Sequence, residues 1–199
     1  MSYPGYLASM AEFVRTAIGP GARLPSKRTP DERFFVRRQG AYAGLARIVM
    51  RLSPRSRLRQ QVLRRSALSG WGAWLRQDHE LMLMRFAADC EYEPPHEWQA
   101  VGMRHVYRGH AGLLEWTADM REAWEWLENR PLEVIDAGDP VVFVNRIRLR
   151  AKGSGVEFEY RSGLVIWMEH GLVVRERDFL DAEDALRALG IGGDAVPVA

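Results

Sequence analysis

Cysteine occurs once in this chain, at position 90, so no intrachain disulfide and no paired-cysteine metal framework is available, which fits a reducing, cytoplasmic setting. The five histidines show no His-x-x-x-His or His-Glu-x-x-His spacing, which argues against a metal site. No Gly-x-Ser-x-Gly elbow surrounds Ser154 and no phosphate-binding loop occurs, so no cofactor is expected. No apolar run approaches the roughly 20 residues of a spanning helix, and Met1-Ser2-Tyr3-Pro4-Gly5 lacks the charged-then-apolar order of a signal peptide. Internal repeats and low-complexity tracts are missing as well.

What is present is a charge asymmetry hidden beneath a net charge of +2. Residues 1–65 hold 14 Lys and Arg against 3 Asp and Glu, whereas residues 66–199 hold 14 against 23. A basic arm on an acidic body invites arm-on-body packing, contact with a partner, or an anionic surface. Arg55, Arg57, Arg59, Arg64 and Arg65 have no aromatics interleaved among them and no nucleic-acid motif nearby, so a nucleic-acid partner is disfavoured, and residues 34–65 are the candidate for peripheral membrane contact.

The pattern along the chain predicts helices first and an antiparallel sheet afterwards. Residues 1–32 contain an amphipathic stretch, Leu7–Ile18, followed by Gly and Pro breakers, and read as loosely ordered. Tyr42, Leu45, Ile48, Val49 and Leu52 recur at helical spacing, Ser53-Pro54 suits the start of a second helix, and Asp78 caps a short third one. Gly70 and Gly72 in the second helix point to something packed closely there. A short strand at Asp89–Glu93 stops at Pro94-Pro95, and a long helix is expected over Ala111–Leu127 with Trp116 and Trp124 on its buried side. Pro131–Ile135 opens the sheet, which continues as strands Val141–Ala151, Val156–Met168 and Leu172–Asp181 joined by Gly-containing turns, before a helix over Ala182–Leu189. Helices segregated from an antiparallel sheet make an α+β layer fold. The expected division is a basic N-terminal extension (1–52), one α+β domain (53–191) and a tail (192–199).

From about Ser66 to Ile191 the chain resembles the SnoaL-like, polyketide cyclase-like branch of the nuclear transport factor 2 superfamily. The resemblance is carried by Asp89-Cys90-Glu91-Tyr92-Glu93-Pro94-Pro95, Tyr107-Arg108-Gly109-His110-Ala111-Gly112-Leu113, Val134-Ile135-Asp136-Ala137-Gly138-Asp139, Gly153-Ser154-Gly155-Val156-Glu157 and His170-Gly171-Leu172-Val173-Val174-Arg175. It implies a cone-shaped curved antiparallel sheet packed against helices, often a homodimer, with an apolar small-molecule pocket between them. It does not imply one activity, because the superfamily holds isomerases, cyclases, hydrolases and binding proteins.

Carried over residue by residue, the resemblance narrows the chemistry. The ketosteroid isomerase carboxylate and tyrosine positions fall on Pro94 and Gly70, which lack the required groups. Arg177-Asp178-Phe179 is similar to the last-strand pattern of limonene-type epoxide hydrolases, and Arg146 matches their arginine. Their second carboxylate, however, is Arg148 here, and Glu91 and Glu93 stand where they place Tyr and Asn. The resemblance therefore points to Asp178 as an acid/base group with Arg146 holding it ionised, and to Arg148, Trp167, Trp116 and Tyr92 as candidate substrate contacts. Alternation also puts Glu176 on the face of Asp178. The other reading makes Arg146, Arg148, Glu157, Glu159, Glu176 and Asp178 cross-strand charge pairs on a solvated face. The expected function is accordingly an apolar-pocket protein with cofactor-free acid/base isomerase, cyclase or hydrolase chemistry; the alternative is a non-catalytic ligand-binding or dimeric assembly module.

Overall fold

The computed structural model describes residues 13–19 and 21–191, apart from the side chain of Leu127. The amphipathic residues before Phe13 and the tail 192–199 lie outside the described residues. The α+β architecture is as expected: helices pack against a curved, unclosed seven-stranded sheet.

The strands are β1 (Val14–Ala17), β2 (Phe86–Glu93), β3 (Tyr107–Arg108), β4 (Trp124–Asp136), β5 (Val141–Ala151), β6 (Glu157–Glu169) and β7 (Leu172–Phe179), ordered β1-β4-β5-β6-β7-β2-β3. β4 to β7 form the antiparallel meander that alternation predicts, and β2 adds to β7 in parallel. The helices are α1 (Pro30–Arg37), α2 (Gln39–Met50), α3 (Arg57–Leu75), α4 (His79–Leu83), α5 (Gly109–Ala123) and α6 (Ala182–Ala188). α1 begins because Pro30 occupies its first turn while the Glu32 carboxylate accepts from the Thr29 N–H at 2.9 Å. The Ser56 hydroxyl caps α3 and the Asp78 carboxylate caps α4.

Two expectations need correction. The long helix ends at Ala123 rather than Leu127, because β4 runs from Trp124 and pairs with β5 from Trp124↔Ala151 onward. Trp124 thus belongs to the sheet. Part of the segment read as loosely ordered is held in place: Val14–Ala17 lies antiparallel to Glu133–Asp136 on the sheet edge, and Arg28 forms an ion pair with Asp78.

The arm also docks on the acidic body through Arg59, which is 2% exposed. Its Nε and Nη2 donate to the two Asp136 oxygens at 2.6 and 2.7 Å, and its remaining N–H groups satisfy the Met50, Leu52 and Gly138 carbonyls. A buried guanidinium is tolerated only when every donor is used in this way. Gly72 has the close neighbour its sequence position suggests, since an added Cβ would lie 2.9 Å from Pro25 Cδ.

The outer face of the sheet divides in two. At one end Val142, Val144, Val165 and Trp167 pack under α6, where Gly163 admits the helix because any Cβ there would collide with Ala185. At the other end Arg146, Arg148 and Arg150 interleave with Glu157 and Glu159 in a solvated ladder of ion pairs. The inner face, towards α2–α5, carries the aromatic core.

Candidate functional site

Register decides which side chains enter the interior. Across β6, Ile147 pairs with Tyr160, and Leu164 pairs with Asp178. Tyr160 and Leu164 are four residues apart on one strand and so share a face, which puts Asp178 with Ile147 and opposite to Arg146. The expected Arg146–Asp178 pair therefore does not form. Arg146 donates to Glu159 at 2.9 Å on the exposed face, whereas Asp178 is 7% exposed on the inner one. Arg148 is likewise on the outside with Glu157. Trp167 is half-buried on the outer face, where the Arg175 guanidinium lies 5.1 Å from its ring centroid, so it does not wall the interior.

Tyr92 and Trp116 do meet inside, their ring centroids 4.4 Å apart. Trp74 continues the stack, 5.7 Å from Trp116 and 4.3 Å from Trp126. Of these rings Trp74 and Trp116 line a cavity of about 330 Å³ between the sheet and the helices, with Tyr92 and Trp126 packed behind them. Trp71, Trp74, Leu113, Trp116, Phe143 and Ile166 give it an apolar lining, and Glu176 contributes a carboxyl to its wall. Asp178 follows two residues later on the same face of β7, beside Tyr92 and Tyr160.

The electrostatics follow from burial without a counter-charge. Among the described residues neither carboxyl has a cationic partner; the Asp178 Oδ1 accepts only from the Phe179 N–H, at 2.9 Å. Desolvation lifts Asp178 from the ordinary carboxylate range to about 8, despite that N–H and with a smaller push from Glu97. Burial, reinforced by the Asp178 charge, lifts Glu176 to about 8 as well. Both tyrosine hydroxyls are pushed upward, chiefly by burial and then by Asp178. The Cys90 thiol, buried on β2, rises to about 11 for the same first reason and is not a nucleophile in this state.

The polar tips of this interior lack partners in the protein. Tyr92 Oη, Tyr160 Oη and the Nε1 atoms of Trp74, Trp116 and Trp126 are all buried without a hydrogen bond. Buried donors are ordinarily satisfied, so five such tips give the interior a surface of unpaired donors and acceptors, two of them the tyrosine hydroxyls that feel the Asp178 charge. Such a surface can bind a ring-shaped molecule by stacking and hydrogen-bond its oxygens. Carboxyls titrating near neutrality can also exchange a proton with it.

Sequence reasoning left Tyr160, Trp74 and Trp126 out and noted Glu176 only as a neighbour of Asp178. Alternation along β7 held the signal for Glu176. Tyr160 needed the β5–β6 register, which becomes readable once the Lys152–Gly155 turn is placed.

Comparison with known proteins gives a match to the model of a SnoaL-like domain over residues 70–176. No curated protein matches the chain. Among solved structures, an NTF2-like protein of unknown function from Burkholderia pseudomallei K96243 is 21% identical with a TM-score of 0.53, the alignment covering 62% of this chain and 93% of that one. TerC, co-crystallised with polyporic acid, is 23% identical with a TM-score of 0.53 over 63% of this chain and 95% of its own. An NTF2-like protein from Burkholderia xenovorans LB400 is 25% identical with a TM-score of 0.50 over 65% and 96%.

Proposed function

We propose, for a chain that belongs to the SnoaL-like domain family, that the interior binds an apolar cyclic small molecule and that Asp178 and Glu176 move a proton on it. The observation that carries this reading is the pair of inward carboxyls, both lifted to about 8 with no cation beside them. At neutral pH such a pair retains protons that an exposed pair would have lost. One carboxylate accepts a proton from an acidic C–H of the ligand, and the other, still protonated, donates a hydrogen bond to the ligand oxygen on which the charge develops. The Tyr92 and Tyr160 hydroxyls and the tryptophan N–H groups position that oxygen, and the stacked rings take the ring faces. Arg146, outside the sheet, plays no part.

The test begins with quenching of tryptophan fluorescence by cyclic ketones and quinones, with polyporic acid as the first probe. Exchange of the α C–H of a bound cyclic ketone in D2O is then followed by NMR. The wild type is expected to accelerate exchange, and Asp178→Asn with Glu176→Gln to bind without accelerating it. Acceleration that survives in the double variant refutes proton movement by this pair. Quenching without exchange in the wild type leaves a binding protein and removes the chemistry.

A further inference from the structure

A different part of the molecule has no role in that chemistry. From residue 33 to residue 65 the chain contains ten arginines and no aspartate or glutamate. Arg59 and Arg65 are taken up by Asp136 and Asp31. Arg37, Arg38, Arg47 and Arg51 are exposed and form no ion pair among the described residues.

Interleaved with them are apolar side chains facing outward. Phe34 is 54% exposed, Leu45 42% and Ile48 61%. On α2 the outward residues are Ala41, Gly44, Leu45 and Ile48, spaced i, i+3, i+4 and i+7, which is one stripe of a helix. The helix is amphipathic twice over. Its inward side, Tyr42, Ala46, Val49 and Met50, lines the interior cavity, which Leu45 also reaches from the border between the two sides, and the turn at Gly171 packs against the backbone at Ala43 and Arg47. Its outward side is uncovered, since a Cβ added at Gly40 or Gly44 would meet nothing within 4 Å. Phe34, on the preceding helix, is exposed as well, its ring 5.4 Å from that of Phe35, which stacks edge-on with Tyr42 at 5.8 Å.

We infer that this face docks on an anionic lipid surface, with Phe34, Leu45 and Ile48 entering the headgroup layer and Arg37, Arg38, Arg47 and Arg51 meeting lipid phosphates. The unbroken run of positive charge selects this occupant. A second copy would set arginine against arginine, whereas an anionic bilayer satisfies the charges and the apolar stripe together. No described helix is long and apolar enough to cross a membrane, so the contact is interfacial. Docking would also bring the α2 wall of the cavity to the reservoir in which an apolar ligand dissolves. The docking itself does not depend on the proton chemistry, and the two fail separately.

Co-sedimentation of the full chain with phosphatidylcholine vesicles, with and without phosphatidylglycerol, tests this. Wild type is expected to partition onto the anionic vesicles at low salt, to ignore neutral ones, and to be released near 1 M salt, where the Debye length is roughly 3 Å. Arg47→Gln with Arg51→Gln should weaken binding about fivefold per arginine, and Ile48→Asp about tenfold or more. All three positions are exposed, so unchanged melting and ligand quenching will show intact folding. Absence of binding to anionic vesicles at low salt overturns the inference. So does binding that Ile48→Asp leaves unchanged, or a wild-type dimer in sedimentation velocity that Ile48→Asp dissolves while vesicles are ignored.

Discussion

Replacing Asp178 with Asn should make this protein more stable in alkali than the wild type. Folding lifts Asp178 from 3.8 to about 8. Between those values the folded protein therefore holds a proton that the unfolded chain has shed. Stability is highest below the unfolded value and is lost as pH rises through the folded one. At about 1.4 kcal/mol per pH unit for one proton, the interval from pH 5 to pH 8 removes about 4 kcal/mol. For a chain of this size that is a fall in Tm of about 10 °C. Glu176, lifted from 4.5 to about 8 partly by Asp178 itself, adds to the fall in the same direction. Asn keeps an oxygen for the Phe179 N–H and has nothing to ionise, so the contribution of Asp178 to the slope should vanish and the two melting curves should cross. Circular dichroism melts of wild type, Asp178→Asn and Glu176→Gln, at half-unit steps in matched salt, measure it. Taking differences between proteins cancels the exposed histidines and surface carboxylates. Parallel curves for wild type and Asp178→Asn would show that the carboxyl is not buried as described and would remove the basis of the proton chemistry.

Asp136→Ala should lower unfolding free energy by about 3–5 kcal/mol in urea titrations, because it strands the Arg59 guanidinium without its counter-charge. The pair Asp136→Leu with Arg59→Met should recover much of that loss. Arg146→Ala should stay within about 0.5 kcal/mol of wild type and leave ligand quenching unchanged, since its pair with Glu159 is a solvated one; a lost ligand would return Arg146 to the site.

The sheet was legible because β5 alternates cleanly, and the structure returns Val141–Ala151 as its bounds, the same as those expected. Alternation states which residues share a face, but not which face lies inside. On β5 apolar residues oppose arginines, so the inside can be chosen. On β7 the alternatives are Arg175 and Arg177 or Glu176 and Asp178, both charged, and only pairing through Leu164 and Ile166 settles it. The error over Arg146 arose there. Trp124 went astray for a related reason: apolar residues beyond Ala123 continue a helical pattern as readily as they begin a strand, and a partner 27 residues away decides. β1 carried no local signal because an edge strand of four residues is defined by the strand it joins.

The family match begins at residue 70, yet the residues before it are not an appendage. β1 occupies the hydrogen-bonding edge of β4 from Glu133 to Asp136, and the Ile18 N–H extends it by donating to the Leu132 carbonyl at 2.7 Å. A shorter chain cut at the family boundary would present that stretch as open backbone beside Val134 and Ile135, a template for pairing with its own copies. The arm thus covers backbone at one edge of the sheet while walling the interior cavity with α2, and trimming it to a minimal domain should yield fibres or precipitate before it yields a simpler protein.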